Sequence, residues 1–339
     1  MTNHALDATA RAMVARGKGI LAADESTGTI AKRLESIKVA NTEENRRAYR
    51  ELLFTTAGSA DYISGVILYD ETLRQSTKSG VPFSKLLGDQ GILPGIKVDK
   101  SVKPLASSPE EPITEGLDGL AERCAEYAKL GARFTKWRAV IKIIKNHTSD
   151  AAIHANAEAL ARYAAIAQAA GLVPIVEPEV LMDGDHTVEV CEHVTERTLH
   201  TVFNALYLAR VRLEGIVLKP NMVVAGKECK TQAGVEDVAE RTLRVLRRHV
   251  PAAVPGIAFL SGGQSEEEAT MHLNAMNAKG PLPWELSFSY GRALQQSALQ
   301  AWKGESANVK AAQKAYLHRA RMNGLARSGR YSAAQEKAA

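Results

Sequence analysis

The sequence predicts an α/β fold: a single (β/α)8 TIM barrel, with an extra N-terminal helix before it and a helix and short tail after it. Three observations predict this. Eight short apolar runs recur through 339 residues, stretches of helical period separate them, and no low-complexity linker divides the chain. Runs rich in Ile, Val, Leu and Phe, without polar alternation, are what parallel strands buried on both faces look like. Eight strand–helix units in about 300 residues close most simply as one barrel. A doubly wound open sheet is the alternative. If it bound a dinucleotide, it would carry a glycine-rich fingerprint after its first strand. The segment 22–33 (AADESTGTIAKR) has no GxGxxG.

Taken in order, a helix precedes the first run, at 19–23. The others lie at 63–68, 94–98, 133–137, 173–177, 215–219, 257–260 and 286–288. Between them, Leu117, Leu120, Ala121, Cys124, Tyr127 and Ala128 recur at steps of three and four, with Gly131 as a stop. Asp150 opens an alanine-rich stretch that closes at Gly171, and 188–208 and 235–250 read the same way. Ser265 followed by Glu268 has the spacing of a capping box and predicts a helix start. A polar, alanine-rich helix over 307–326 follows the last unit. Residues 1–339 are therefore expected to form one domain, with the barrel over 19–303 and the C-terminal helix and tail over 304–339.

Composition narrows the function classes. Lys and Arg number 43 against 38 Asp and Glu, a net charge of +5 that suits an anionic partner but is spread along the chain. The densest basic cluster, Arg244 to Arg248, falls on a helical pattern and reads as a solvated face, so no nucleic-acid partner is expected. Cys124, Cys191 and Cys229 are far apart and form no CxxC, which fits a reducing compartment. No apolar run approaches the ~20 residues needed to cross a bilayer, and the start lacks an apolar signal core. Glu336-Lys337-Ala338-Ala339 carries no peroxisomal or reticulum address. A cytoplasmic protein without membrane contact is the expectation. His193 and His200 lie seven apart on a helical pattern with no third ligand, so neither a metal nor a cofactor is expected.

The apolar runs end in charge. Asp24 closes the first, Lys97 lies in the third, Lys136 in the fourth, Glu177 in the fifth and Lys219 in the sixth. The seventh leads into Ser261-Gly262-Gly263 and the eighth into Ser289-Tyr290-Gly291-Arg292. In a barrel the strand C-termini converge on one mouth. One lysine at a strand end ordinarily snorkels to solvent. Five charged groups at five strand ends point to a site.

That set permits a definite chemistry. A neutral lysine amine attacks a ketone to form a Schiff base, an electron sink that lets a neighbouring C–C bond break. If Lys136 and Lys219 face each other at about 6 Å and an effective dielectric of about 20, repulsion of about 3 kcal/mol lowers one pKa by about two units. Glu177, Glu179 and Asp24 are the candidate acids and bases. Pro178 is expected to end the strand between the two glutamates and leaves their separation open; Glu179 is equally suited to an ion pair with a site lysine. Two glycine-bearing turns that open helices, Ser261-Gly262 and Gly291-Arg292, can hold an anion on backbone N–H groups. Ser26, Thr29, Arg33 and Lys97 supply a second anion site on the opposite rim. Two anion sites flanking a reactive lysine describe a bisphosphorylated ketose; a monophosphate or deoxy-sugar barrel, or a binding protein on the same fold, are the alternatives.

The strings LAADESTGTIAKR, NTEENRR, GIKVDK, FTKWR, VPIVEPE, LKPNMV, FLSGGQSEEEA and FSYGRALQ, in this order, make the chain resemble class I fructose-bisphosphate aldolases from about Gly19 to Tyr331. The resemblance implies a metal-independent enzyme that cleaves fructose 1,6-bisphosphate reversibly to dihydroxyacetone phosphate and glyceraldehyde 3-phosphate, as a homotetramer. It makes Lys219 the Schiff-base lysine, Glu177 the general acid/base, Glu179 its acidic neighbour and Lys136 the lysine that assists carbinolamine chemistry. Asp24 becomes the aspartate at the C4 hydroxyl. Lys97 and Arg138 match substrate-cleft residues. Ser261, Gly262, Gly291 and Arg292 match one phosphate site, Ser26 and Thr29 the other, and Arg33 an arginine beside the cleft. One departure stands out: animal and plant members end in a mobile tail with a terminal tyrosine tied to enamine protonation, and here no tyrosine follows Tyr331. That leaves the preference between bisphosphate and monophosphate open.

Overall fold

A computed structural model describes residues 3–106 and 108–337. The chain begins with α1 (Asn3–Met13), β1 (Gly19–Ala23), α2 (Thr27–Glu35), α3 (Glu43–Phe54), β2 (Ile63–Leu68), α4 (Asp70–Arg74), α5 (Phe83–Asp89) and β3 (Leu93–Lys97). It continues through β4 (Ser101–Leu105), β5 (Ser108–Glu115), α6 (Leu120–Lys129), β6 (Phe134–Ile141), α7 (Asp150–Ala169), β7 (Val173–Val180), α8 (Val188–Leu208) and β8 (Val217–Leu218). Then come α9 (Val235–His249), β9 (Gly256–Phe259), α10 (Glu266–Ala278), β10 (Glu285–Tyr290), α11 (Arg292–Trp302), α12 (Val309–Ala326) and α13 (Ala333–Glu336). Eight strands close a parallel barrel in the order β1-β10-β9-β8-β7-β6-β3-β2, and the helices surround it.

The two-residue period of a strand decides what the barrel encloses. Ile20 and Ala22 of β1, Phe134 of β6, Ile175 of β7 and Val217 of β8 belong to one buried apolar cluster inside it, which Leu6 and Met13 of α1 and Val14 just after it cover from below. On the outward face, Gly19 leaves room for a ring, since a Cβ on it would lie 2.5 Å from Phe288 of the larger core. Continuing each strand by two residues on the same face reaches Asp24, Lys136, Glu177 and Lys219. The charged layer thus sits directly above the apolar one. Residues of opposite parity, such as Trp137, Ala139 and Val176, pack outward into the larger core beneath the helices.

All eight predicted runs are barrel strands; β1 and β2 have the expected bounds and the other six are shifted. β6 and β7 run on to Ile141 and Val180, so Lys136 lies within β6. Pro178 does not end β7, contrary to expectation. It pairs in register with Ala139 of β6, and the strand holds beyond it because the Val180 N–H finds the Asn221 Oδ1 (3.1 Å). The capping box is formed as expected, with Ser265 and Glu268 exchanging hydrogen bonds at the start of α10. The β4–β5 hairpin was not expected. The C-terminal segment returns to the barrel flank, where Glu336 accepts from Arg319 (2.6 Å), His318 (2.9 Å) and Tyr331 Oη (2.8 Å). Ala338 and Ala339, part of the C-terminal tetrapeptide read above, lie outside the described residues. Among the described residues, no helix is long and apolar enough to cross a membrane.

Candidate active site

Every site residue expected from the sequence lines one cavity of about 430 Å³ at the strand C-termini. Asp24, Glu177, Glu179, Lys136, Lys219 and Ser261 are all buried there. Ser26, Thr29, Arg33, Lys97, Arg138, Gly262, Gly291 and Arg292 complete its walls and rim.

The centre is a lysine–carboxylate–lysine bridge. Glu177 Oε1 lies 3.1 Å from Lys219 Nζ and Glu177 Oε2 lies 2.9 Å from Lys136 Nζ. Lys136 also donates to Asp24 Oδ2 (3.0 Å). Parallel register brings these groups together: Lys136 lies opposite Ile175 and Arg138 opposite Glu177, and the Lys219 N–H donates to Val176 O (2.8 Å). The contacts to Glu177 are ion pairs without hydrogen-bond alignment, and Glu177 Oε2 has no hydrogen-bond donor. A buried acceptor left in that state is free to take a proton.

The expectation that two bare amines repel each other across the mouth is corrected by this geometry. A carboxylate stands between them. Burial opposes the charged form of Lys136, but the charges of Asp24 and Glu177 outweigh burial and hold its pKa above the ordinary lysine value. The same pairing works on the acids. Burial would raise Asp24 and Glu177, yet the ammonium groups of Lys136 and Lys219 hold both below the usual carboxylate range. Lys136 is therefore a fixed cation, and Glu177 is the carboxylate in contact with Lys219.

Around this centre the remaining charges are partnered. Glu179 shares a face with Glu177 and pairs with Arg138 instead of a lysine. Lys97 donates to Asp99 Oδ1 (2.5 Å) and Asp99 O (2.8 Å), and the Arg138 N–H donates to Asp99 Oδ2 (3.3 Å). Arg33 is 2.5 Å from Glu25, which also takes Arg50 (2.9 Å) and Gln295 (3.0 Å). Ser26 Oγ and Thr29 Oγ1 lie 3.2 Å apart at the start of α2. On the other side, Arg292 Nη2 donates to Gly262 O (3.1 Å). A Cβ on Gly291 would approach Ala22 O at 3.3 Å, so the glycine lets this turn lie against β1.

Glu25 and Asp99 also line the cavity and were not singled out from the sequence; Ser289, which closes the eighth run, lines it too and was given no role. Ser289 Oγ is buried without a partner. A serine two residues before Gly291, in the run that leads to the Gly-Arg pair, was the signal for it. Glu25 is settled by distant partners and had no local signal, whereas Asp99 pairs with Lys97 two residues away and with the Arg138 N–H. No group of three or more His, Cys, Asp or Glu side chains able to hold a metal ion occurs among the described residues. His193 and His200 are exposed on α8, and Arg244 and Arg248 are exposed on α9, paired with Glu192 (2.7 Å) and Glu196 (2.5 Å).

A buried cluster of lysines and carboxylates at the C-terminal mouth of a parallel barrel, flanked by glycine turns, defines a barrel enzyme for small anionic substrates. The family model described as fructose-bisphosphate aldolase class-I matches residues 5–339. A probable class 1 fructose-bisphosphate aldolase of Xanthomonas campestris is 59% identical over 332 residues, covering 98% of this chain and 99% of that protein. The cytosolic fructose-bisphosphate aldolase 4 of Arabidopsis thaliana is 59% identical over 316 residues, 93% of this chain and 80% of that one. The solved aldolase of Plasmodium falciparum, in complex with TRAP and a small-molecule inhibitor, superposes with a TM-score of 0.96 at 55% identity, over 97% of this chain and 95% of that one. The chain belongs to the class I fructose-bisphosphate aldolase family, and it is a carbon–carbon lyase with the family's barrel.

Proposed function

We propose that the chain cleaves fructose 1,6-bisphosphate reversibly to dihydroxyacetone phosphate and glyceraldehyde 3-phosphate, through a Schiff base on Lys219 and without a metal. The observation that carries this is Glu177 in contact with both Lys219 and Lys136. Lys219 passes its ammonium proton to Glu177, and the neutral amine attacks the C2 ketone; a second proton then moves from that nitrogen to the new oxygen, giving the carbinolamine. Protonated Glu177 gives the first proton to the carbinolamine hydroxyl, which leaves as water, so that the iminium and the Glu177 carboxylate remain. Lys136, kept charged by Asp24 and Glu177, steadies the oxygen that gains negative charge on attack. Asp24 engages the C4 hydroxyl as the C3–C4 bond breaks and its electrons pass into the iminium. Protonation of the enamine at C3 and hydrolysis free the ketone product and Lys219.

Ser261, Gly262, Gly291 and Arg292 receive one phosphate. Ser26, Thr29, Arg33 and Lys97 receive the other, with Arg138 in the cleft and Glu179 orienting it. The second set gives a specific reason to weigh a monophosphate substrate: Arg33 and Lys97 are already paired with Glu25 and Asp99. Kinetics with fructose 1-phosphate against the bisphosphate discriminate. Family membership also supports a single-domain, cytoplasmic homotetramer acting in glycolysis and gluconeogenesis; light scattering on the purified protein measures the copy number.

Borohydride reduction in the presence of dihydroxyacetone phosphate, followed by peptide mass mapping, tests the mechanism. A stable adduct on Lys219 is expected. Adduct-free protein, full activity in Lys219→Met, or activity lost to a chelator would sink it.

A further inference from the structure

The turn after β9 is held from behind by side chains that the reaction does not touch. Gln264 closes it. Its backbone N–H donates to Ser261 O (3.1 Å), and its side-chain Nε2 donates to the same carbonyl (3.1 Å) with Met222 Sδ 3.7 Å away. With Nε2 committed to the turn, Gln264 Oε1 faces outward and meets Nδ1 of His272, on α10, at 2.5 Å. Both side chains are buried.

The chemistry of this contact fixes a tautomer. An amide oxygen only accepts, so His272 Nδ1 must carry the hydrogen. Burial pushes the pKa of His272 down to about 4, so the ring is neutral at physiological pH and its one hydrogen stays on Nδ1. If the amide turned over, its NH2 would face the Nδ1 hydrogen and its oxygen would face the Ser261 carbonyl. Both contacts would be repulsive inside the protein, where an unmet polar group is costly.

The turn itself needs this hold. Gly262 has φ 55°, a left-handed conformation that favours glycine and leaves the segment without intrinsic stiffness. Ser261 O is taken by two donors and Gly262 O by Arg292. Among the described residues, neither the Ser261 nor the Gly262 N–H donates to a protein acceptor, and both residues line the cavity. The turn also adjoins the lysine strand, because the Leu260 N–H donates to Pro220 O (3.1 Å), next to Lys219. On the aldolase reading, the phosphate on the carbon beside the Schiff-base carbon is the group expected at this turn.

We propose that His272 is a positioning residue for the substrate phosphate nearest Lys219: by fixing the Gln264 amide, it keeps the 261–264 turn in the shape whose N–H groups receive that phosphate. This rests on the aldolase reading above and names a residue outside the reacting centre. It separates phosphate recognition from ketone capture.

The test is the dependence of borohydride trapping on ketone concentration, with dihydroxyacetone phosphate and with unphosphorylated dihydroxyacetone. His272→Phe removes the donor, whereas His272→Asn places an amide N–H where Nδ1 stood. His272→Phe is expected to raise the half-saturating concentration of the phosphorylated ketone about tenfold, equivalent to about 1.4 kcal/mol. Trapping of dihydroxyacetone should be unchanged, and His272→Asn should restore most of the loss. Equal weakening with both ketones, no weakening, or an Asn variant no better than Phe would overturn the proposal. If the Phe variant does not fold, Gln264→Met, compared on the same two ketones, decides by the same criteria. If the wild-type protein forms no adduct with either ketone, the aldolase reading falls and the role of His272 falls with it.

Discussion

Buried cations lie at both ends of the barrel, and they are satisfied differently. At the floor, Arg327 donates to Lys18 O (2.9 Å), Val14 O (2.6 Å), Ala15 O (2.9 Å) and Leu286 O, with Glu285 3.4 Å away. Burial pushes its pKa down to about 10 against the pull of Glu285, which leaves it charged at neutral pH. At the mouth, Lys136 and Lys219 share Glu177, and Lys136 also pairs with Asp24. The floor contacts are mostly backbone carbonyls, which cannot exchange protons and are fixed by β10 and the turn between α1 and β1. The mouth contacts are side chains that titrate and have freedom to move. A buried charge bound by backbone serves the fold; one bound by groups that accept protons serves chemistry, at some expense to stability.

The largest test of that contrast is Lys219→Met. Activity should fall by about 10⁴-fold or more, as for other residues that act as a unit with their neighbours. The melting temperature should hardly change, because Glu177 keeps Lys136 as its partner. A large drop in melting temperature would mean that the mouth is structural too. Arg327→Met should do the reverse. It strands several buried carbonyls, so urea denaturation should show about 3–5 kcal/mol of lost stability. The turnover of the folded fraction should stay near wild type. Inactive but fully stable Arg327→Met protein would break the comparison.

The same contrast explains what could be read before the structure was seen. β1 and β2 were legible to the residue because Ile, Leu, Val and Ala dominate their runs, with Lys18 and Asp24 bounding the first and Tyr62 and Tyr69 the second. The ends of β6 and β7 were not. Their last residues alternate charge with apolar side chains, since one face lines the mouth and the other packs under helices. The β4–β5 hairpin carries Pro104, Pro109 and Pro112 and many charges, a composition that reads as loop. At the mouth, which residues take part was legible because charges at strand ends are rare. How they pair was not. That Glu177 stands between Lys136 and Lys219 depends on the register of β6, β7 and β8, which no local spacing encodes. Glu25 was missed for a related reason: its partner Arg50 lies on α3 and Gln295 on α11.

The smallest expected effect probes the mouth alone. Asp24 has a folded-state pKa below that of the unfolded chain, held there by Lys136 and Lys219 against burial. Such a group contributes stability that is present above its unfolded pKa, about 3.9, and is lost as pH falls through the folded value. Between those two values the unfolded chain binds the extra proton, so stability rises with pH in that window. Asp24→Asn removes this contribution. Its stability curve should lie below wild type at pH 6 by on the order of 1–2 kcal/mol, and the gap should narrow as pH drops below about 4. Lys136 works in the opposite direction. Its raised pKa contributes stability below the unfolded lysine value of about 10.4 and loses it as pH rises through the folded value. The two effects therefore separate at opposite ends of the pH scale. Denaturation of wild type and Asp24→Asn from pH 3 to pH 7 measures the first. Parallel curves would show that Asp24 is not held by the lysines in solution, and the contrast between a titrating mouth and a fixed floor would lose its basis.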